Sequence, residues 1–452
     1  MPKTIVMLKS FSALGVHKEL ETRLAKLAIT VPTTVQEKAI PFILHKKKDM
    51  VVLAKTGSGK TAAFGVPLLQ KIKAEETQIQ VLILAPTREL CSQIYQNLVS
   101  FSSDDQQKKI VSITGGTPIK PQIESIKSKP NIVVATPGRL VDLVERKTIN
   151  ITKISYLVLD EADEMVTALN EELVAIIAEI PKIRRTLLFT ATMPGTIKQL
   201  VQNYMSKHVT YLETDIEPLA KRGIEHQYVV VKPIEKLDVL MHFLTTKENE
   251  RGIIFCKTKA AVNKLAKNLA IHKFSSGALH GSLSQGIRDR VMEQFRAGNI
   301  DILVATDLAA RGIDVKEISY VVNYHLPDRY ETYVHRSGRT ARAGATGLSL
   351  SVIQEEELEE IPEFEEDLGL VFTAYKKADA KSIEENNTLL WAKKIFKTKP
   401  NRTLSENLKS EIKTIFHHLT KEELIDKLVA NYVANNSATK TIASNSNKKK
   451  KK

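Results

Sequence analysis

Residues 158–165, VLDEADEM, place four carboxylates within five positions: Asp160, Glu161, Asp163 and Glu164, directly behind the apolar run 156–159. Two kinds of chemistry are open to such a cluster. Acidic side chains at the start of a helix are favoured by the helix dipole and by solvent, with no further role. Alternatively, one carboxylate holds a metal and the next moves a proton. The segment AKTGSGKT (54–61) weighs on this choice, because it follows a strand-like run and precedes a helical pattern, the context of a phosphate-binding loop. Gly57 and Gly59 let backbone N–H groups turn inward around phosphates, and the helix start adds its positive end. Lys60 can neutralise the β- and γ-phosphates, and Thr61 can place a hydroxyl on Mg²⁺. Thr56, Gly57, Ser58, Gly59, Lys60 and Thr61 are therefore candidate nucleotide-binding residues. A loop of this kind works with an acid at the end of a second strand. Asp160 is placed to join Thr61 in the Mg²⁺ shell, partly through water, and Glu161 to orient or deprotonate an attacking water. Glu164 reads as a solvated acid at a helix start.

The elements that must position these groups follow one rhythm. DMVVLA (49–54), VLILAP (81–86), KIVSIT (109–114), NIVVAT (131–136), YLVLDE (156–161) and TLLFTA (186–191) read as strands, each followed by a helical pattern. HQYVVV (226–231), RGIIFC (251–256), DILVAT (301–306), YVVNYH (320–325) and GLSLSV (347–352) repeat it. Continuous apolar runs suit parallel strands buried on both faces, and strand–helix alternation implies right-handed βαβ units. The expected fold class is α/β: two tandem domains over 10–212 and 224–372, after a segment 1–9 and joined by a polar linker 213–223 with Pro218 and Gly223. Beyond 372 the rhythm changes. Ser382 with Glu385 and Thr420 with Glu423 have capping-box spacing. Leu424, Leu428, Val429, Tyr432 and Val433 share a helical face, so a helical extension is expected over 373–435, then a low-complexity, disordered basic tail over 436–452.

Composition narrows the function classes. The 452 residues carry a net charge of +14, and between Lys376 and Lys452 the 18 Lys and Arg face 8 Asp and Glu, a local net of +10. A basic excess points to a polyanion such as nucleic acid. Two cysteines, Cys91 and Cys256, cannot make a disulfide framework or a cysteine-rich zinc site, and both read as buried thiols. No apolar run reaches the roughly 18–20 residues that span a bilayer, and MPKTIVMLKS has no signal-peptide core, so no membrane role and a cytoplasmic location are expected.

Asp160-Glu161-Ala162-Asp163 spells the signature of the DEAD-box RNA helicases, and the chain resembles that family well beyond four letters. Phe11 precedes ITVPTTVQ (29–36), similar to the adenine-reading Q motif. PTREL (86–90), Gly115-Gly116, TPGR (136–139), TAT (190–192), QGIR (285–288), ATDLAARGID (305–314) and HRSGRTAR (335–342) follow in the family's order. The resemblance implies two RecA-like domains and ATP-dependent RNA binding and duplex opening. It implies that Gln36 hydrogen-bonds adenine while Phe11 stacks on it, and that Gly312 and Asp314 contact the nucleotide from the second domain. Arg339 and Arg342 would reach the phosphates as arginine fingers. Pro86, Thr87, Arg88, Gly116, Thr136 and Arg139 in the first domain, with Arg288 and Thr306 in the second, would hold the RNA backbone without reading bases. Asp163 would pair with hydroxyls of Thr190-Ala191-Thr192, where the family has Ser-Ala-Thr, and couple hydrolysis to strand opening. Ala28 and Ala341 stand where the family prefers glycine. His280 and His335 are expected to make hydrogen bonds rather than bind zinc, and the run EEELEE (355–360) to form a solvated face.

The leading expectation is an RNA-dependent ATPase that unwinds or remodels short RNA duplexes, in ribosomal or messenger complexes among others. The rivals are a nucleotide-gated RNA clamp with little turnover and a DNA-directed translocase of the wider superfamily. The extension is expected to add nonspecific affinity for structured RNA through its charge.

Overall fold

The computed structural model describes residues 10–54, 57–73, 75–214, 223–247, 249–310, 318–341, 345–376, scattered positions between 385 and 398, and 405–448, with backbone alone at 168, 308 and 435–448. Thr56, Gly312, Asp314, Arg342, Ser382 and most of the linker therefore lie outside the described residues.

The apolar runs form two parallel sheets. In the first are β1 (Met50–Leu53), β2 (Val81–Leu84), β3 (Ile110–Ile113), β4 (Ile132–Ala135), β5 (Tyr156–Asp160), β6 (Arg185–Thr190) and β7 (Thr210–Glu213), in the order β3-β4-β2-β5-β6-β1-β7. In the second are β8 (Ile224–Val230), β9 (Gly252–Phe255), β10 (Ser276–Leu279), β11 (Ile302–Ala305), β12 (Tyr320–Asn323), β13 (Gly347–Ile353) and β14 (Thr373–Ala374), in the order β10-β11-β9-β12-β13-β8-β14. The central strands are covered on both faces, which is why β2, β4, β9 and β11 are apolar throughout. Val81 and Ile83 pack into one layer, and Leu82 and Leu84 into the other. Ile254 and Val304 pack on one side of the second sheet, Ile253 and Leu303 on the other. The two expected α/β units are both present.

Strand order sorts the motifs. Leu53 pairs with Thr190 and Asp160 with Phe189, so β5, β6 and β1 end side by side. The phosphate loop, the acidic cluster and Thr190-Ala191-Thr192 leave those three carboxyl ends, where α/β sheets bind ligands. The other half of the sheet, β2, β4 and β3, ends in Pro86–Arg88, Thr136–Arg139 and Gly115-Gly116.

Three strands fall outside the expected set. β7 is a half-exposed strand at the sheet edge, β10 (SGAL) contains no β-branched residue, and β14 has two residues. In the extension, helices cover Glu406–Phe416 and Lys421–Lys448. Thr420 caps the second: its amide donates to Glu423 Oε2 at 2.8 Å, and its hydroxyl accepts from the Glu423 amide at 3.2 Å. That helix continues past the expected end at 435, which corrects the reading of a disordered tail as far as Lys448. No glycine or proline interrupts 436–448, so polar composition alone does not stop the helix.

Candidate functional site

A cavity of about 340 Å³ opens at the ends of β1 and β5, walled by Ile29, Val31, Gln36, the loop residues Gly57, Gly59, Lys60 and Thr61, and Asp160 and Glu161. Gly59 takes φ +90° and starts the helix Lys60–Lys71, which carries Lys60 into the cavity. Lys60 Nζ stands 3.7 Å from Asp160 Oδ1 and, among the described residues, makes no hydrogen bond. Glu161 Oε2 and Ser58 Oγ are likewise buried without a hydrogen-bond partner among the described residues. Buried polar atoms are almost always satisfied, so three in one place mark a polar ligand. The donor set suits a phosphate chain with Mg²⁺, which asks for one or two carboxylates and takes its other ligands from phosphate and water. Burial pushes the Asp160 carboxyl up to about 6, against the pull of Lys60. Glu161 has φ 52° and ψ 52°, left-handed backbone that costs a residue with a Cβ roughly 1–2 kcal/mol. Such strain is characteristic of functional positions.

The Q-motif residues brace this cavity. Gln36 Oε1 accepts from the Thr33 amide at 3.0 Å, Gln36 Nε2 donates to Gly59 O at 3.1 Å, and the Thr33 hydroxyl donates to Ser58 O at 2.8 Å. Phe11 is 1% exposed, packed in the first-domain core, and is not part of the cavity wall.

The second domain closes the cavity. Arg339 lines it and is 4% exposed. Its Nε donates to His335 O at 3.2 Å. His335 crosses the boundary, with Nε2 3.2 Å from Asp163 Oδ2. Asp163 also accepts from the Thr192 hydroxyl at 2.7 Å and the Thr192 amide at 3.1 Å. Thr190 does not reach Asp163; its hydroxyl donates to Thr192 O at 2.8 Å. Burial raises the Asp163 carboxyl, but the His335 charge and the hydrogen bonds from His335 and Thr192 outweigh it, and the group is held well below the usual carboxylate range. Glu164 is corrected: it is buried, not solvated, with Oε1 3.7 Å from His335 Nδ1. It lies at the domain boundary, where the second domain excludes water from the helix start.

A second cleft of about 510 Å³ lies at the ends of β2 and β4, lined by Pro86, Thr87, Arg88, Thr136, Arg139 and, from the second domain, Arg288. Thr87 caps the helix Arg88–Phe101 by accepting from the Leu90 amide at 3.2 Å. Gly116 has φ +72°, and the Arg88 guanidinium fills the space a Cβ would take. Burial, together with Arg288 and Arg139, lowers the Arg88 guanidinium from its ordinary value. Arg139 NH1 and Arg288 Nε have no hydrogen-bond partner among the described residues. Crowded, incompletely satisfied arginines fit an anionic ligand such as a sugar–phosphate backbone. Arg288 meets Glu89 across the boundary at 2.6 Å. Thr306 sits at the end of β11, outside this cleft's lining. His280 bonds Asn263 Oδ1 at 2.9 Å. Cys91 and Cys256 are both buried.

Arg336 is a residue that sequence reasoning left unassigned. Its guanidinium grips Asp307 with two bonds, at 2.5 and 2.8 Å, and donates to Asn323 Oδ1 at 3.0 Å and His325 O at 2.7 Å. It fixes the helix Tyr330–Ser337, which presents His335 and leads into Arg339. The available signal was a third arginine within HRSGRTAR.

Among the described residues, no helix is long and apolar enough to cross a membrane. Residues 33–200 match the DEAD/DEAH box helicase family, 235–344 the helicase conserved C-terminal domain, and 383–432 a helical domain of a probable ATP-dependent RNA helicase. The chain is 39% identical over 349 residues to the ATP-dependent RNA helicase CshA of Listeria monocytogenes, covering 77% of this chain and 66% of that protein. It is 36% identical to CshA of Geobacillus kaustophilus, covering 79% of this chain and 76% of the relative. The solved structure of S. cerevisiae Dbp5 bound to RNA and ADP BeF3 is similar with a TM-score of 0.75 at 30% identity, covering 84% of this chain and 99% of that one. With the phosphate loop, the acidic cluster and the second-domain arginine converging on one cavity, the chain belongs to the DEAD-box ATP-dependent RNA helicases.

Proposed function

We propose that the protein hydrolyses ATP in an RNA-dependent manner and locally opens or remodels RNA duplexes. The observation that carries this reading is Arg339 of the second domain in the same cavity as Lys60, Asp160 and Glu161 of the first. Hydrolysis then requires closure, and RNA bound across both domains favours closure. Lys60 and the loop amides hold the phosphates, with Thr61 and Asp160 as the residues that would hold Mg²⁺. The metal, when bound, neutralises phosphate charge. Glu161 orients water and takes its proton. Arg339, with Arg342, stabilises charge that develops in transfer. Gln36 reads adenine through its remaining N–H. Asp163, held by Thr192 and His335, ties this chemistry to the domain boundary.

The arginine cleft supports binding of the RNA backbone without base readout. Contacts to 2′-hydroxyls would favour RNA over DNA. The basic extension adds affinity for structured RNA, and the protein acts on cytoplasmic RNA, ribosomal or messenger. The domain limits 10–212 and 224–372 belong to the same proposal. The test is steady-state ATP hydrolysis with and without RNA, beside displacement of a short duplex. RNA should stimulate turnover, and Glu161→Gln should lower kcat by about 10²–10⁴ while ATP still binds. Absence of RNA stimulation at saturating ATP would reject the reading in favour of a slow clamp, and equal stimulation by single-stranded DNA would favour a DNA translocase.

A further inference from the structure

Glu164 takes no part in the chemistry above, yet it is 6% exposed and faces the second domain. The His335 ring lies between two carboxylates of the first domain: Nε2 is 3.2 Å from Asp163 Oδ2, and Nδ1 is 3.7 Å from Glu164 Oε1. All three side chains are less than one-tenth exposed. A neutral imidazole carries a proton on one nitrogen only. In this seat it would turn a lone pair toward a buried carboxylate. The imidazolium presents an N–H to both. We infer that Glu164 is a positioning residue that, with Asp163, seats His335 as an imidazolium in the closed arrangement and thereby holds Arg339 at the phosphate cavity. The route runs through the chain itself, because Arg339 Nε donates to His335 O at 3.2 Å. This inference rests on the RNA-dependent ATPase reading and assigns a role to a residue which that reading leaves idle.

The other charged groups around His335 fit the same picture. Burial lowers the imidazole, but Asp163, Glu164 and the more distant Glu161 outweigh it, and the ring is raised above its ordinary value. Arg336, Arg339 and Asp307 border the same small cavity from the second domain, and Lys60 acts on Asp163. The sign follows. A raised imidazole contributes its full share to closure below the ordinary histidine value, and loses it as pH rises through the raised one. Asp163, depressed by the same pair, gives up its share only at strongly acidic pH. The alkaline limb of activity therefore reports on His335, and closure above the ordinary histidine value takes up a proton from solvent.

The experiment is the pH profile of RNA-stimulated kcat for the full chain, for Glu164→Gln and for Glu164→Asp. Removing one charge at this range should move the alkaline limb down by at least about one pH unit in Glu164→Gln. The KM for ATP measured below that limb should stay within about twofold, and Glu164→Asp, which keeps the charge, should hold the limb near that of the natural protein. An unmoved limb in Glu164→Gln, or equal displacement in both variants, overturns the inference. If Glu164→Gln does not fold, the ring resonances of His335 in the natural protein, closed on RNA with a non-hydrolysable ATP analogue, decide: titration above about 6.5 supports the seat, and titration below it overturns it. Failure of the underlying reading looks different, because the natural protein would then show no RNA stimulation at any pH.

Discussion

Thr192 gives Asp163 Oδ2 two hydrogen bonds, from its hydroxyl at 2.7 Å and its amide at 3.1 Å, while Thr190 spends its hydroxyl on Thr192 O at 2.8 Å. The acid at the domain boundary is thus held by the last residue of Thr190-Ala191-Thr192, and the first shapes the turn. Serine at 190 keeps the turn bond and loses only a buried methyl, worth about 1 kcal/mol of stability. Thr190→Ser should therefore leave duplexes opened per ATP hydrolysed within about twofold. Thr192→Ala removes a hydrogen bond to a charged group, worth about 1.5–3 kcal/mol, and should lower that ratio roughly tenfold or more. Strand displacement and phosphate release measured in parallel check both, and a change in the ratio with serine at 190 would contradict the assignment.

The Q-motif amide is tied into the phosphate loop as well as facing the cavity. A Cβ at Gly59 would stand 2.4 Å from Gln36 Nε2, at a φ of +90° that side chains avoid. Gln36→Ala removes the bond to Gly59 O and the acceptor for the Thr33 amide, so the loop loses its brace from that side. The KM for ATP should rise about tenfold, equivalent to roughly 1.4 kcal/mol of binding, with a weaker preference for ATP over GTP. Steady-state kinetics at saturating RNA measure both; a raised KM with unchanged base preference would restrict Gln36 to bracing the loop.

At the other cleft, Arg88 occupies the space beside Gly116 so closely that a Cβ there would lie 1.7 Å from its NH1. Gly116→Ala must displace the guanidinium, since φ at 116 is +72° and the backbone resists moving. RNA affinity should fall by about tenfold or more at fixed salt, and the salt dependence should flatten by about one phosphate contact. ATP binding without RNA should be unchanged. Equilibrium binding of labelled single-stranded RNA across a salt series reads all of this.

Most of the fold, and the convergence of the phosphate loop and the acidic cluster on one cavity, were legible because their signals are local. The strand runs of β1, β5 and β6, the glycines of the phosphate loop and the acids behind β5 are contiguous letters, and βαβ chirality brings their carboxyl ends together. What was not legible depends on contacts between distant segments. Glu164 looked solvated because nothing in VLDEADEM announces that His335, 171 positions later, will cover it. Arg336 and Asp307 find each other across the second-domain core, and Phe11 is drawn into the first-domain core rather than the cavity wall. β10 and β14 were missed because neighbouring strands, not their own side chains, hold them in the sheet. Helix propagation through 436–448 ran against composition, which weighs polar residues without asking what would end the helix.

Two departures from the family's pattern carry a stability prediction of their own. Ala28 and Ala341, which stand where the family prefers glycine, have φ of +59° and +53°. Both positions need left-handed backbone, which explains the preference: a Cβ there meets the following carbonyl, at about 1 kcal/mol. Glycine relieves that strain but makes the unfolded chain more flexible, which takes back part of the gain. Ala28→Gly should therefore stabilise the first domain by a few tenths of a kcal/mol, and never by more than about 1 kcal/mol. Ala341→Gly should act likewise on the second domain. The reverse reasoning holds at Gly59 and Gly116, where alanine adds both strain and a clash, so those substitutions should cost more than glycine gains at 28 or 341. Denaturant unfolding of the four single variants, followed at constant m-value, orders them. Destabilisation by glycine at position 28 would mean that its side-chain methyl, although exposed beside the half-buried Ile29, contributes more packing than the backbone loses in strain.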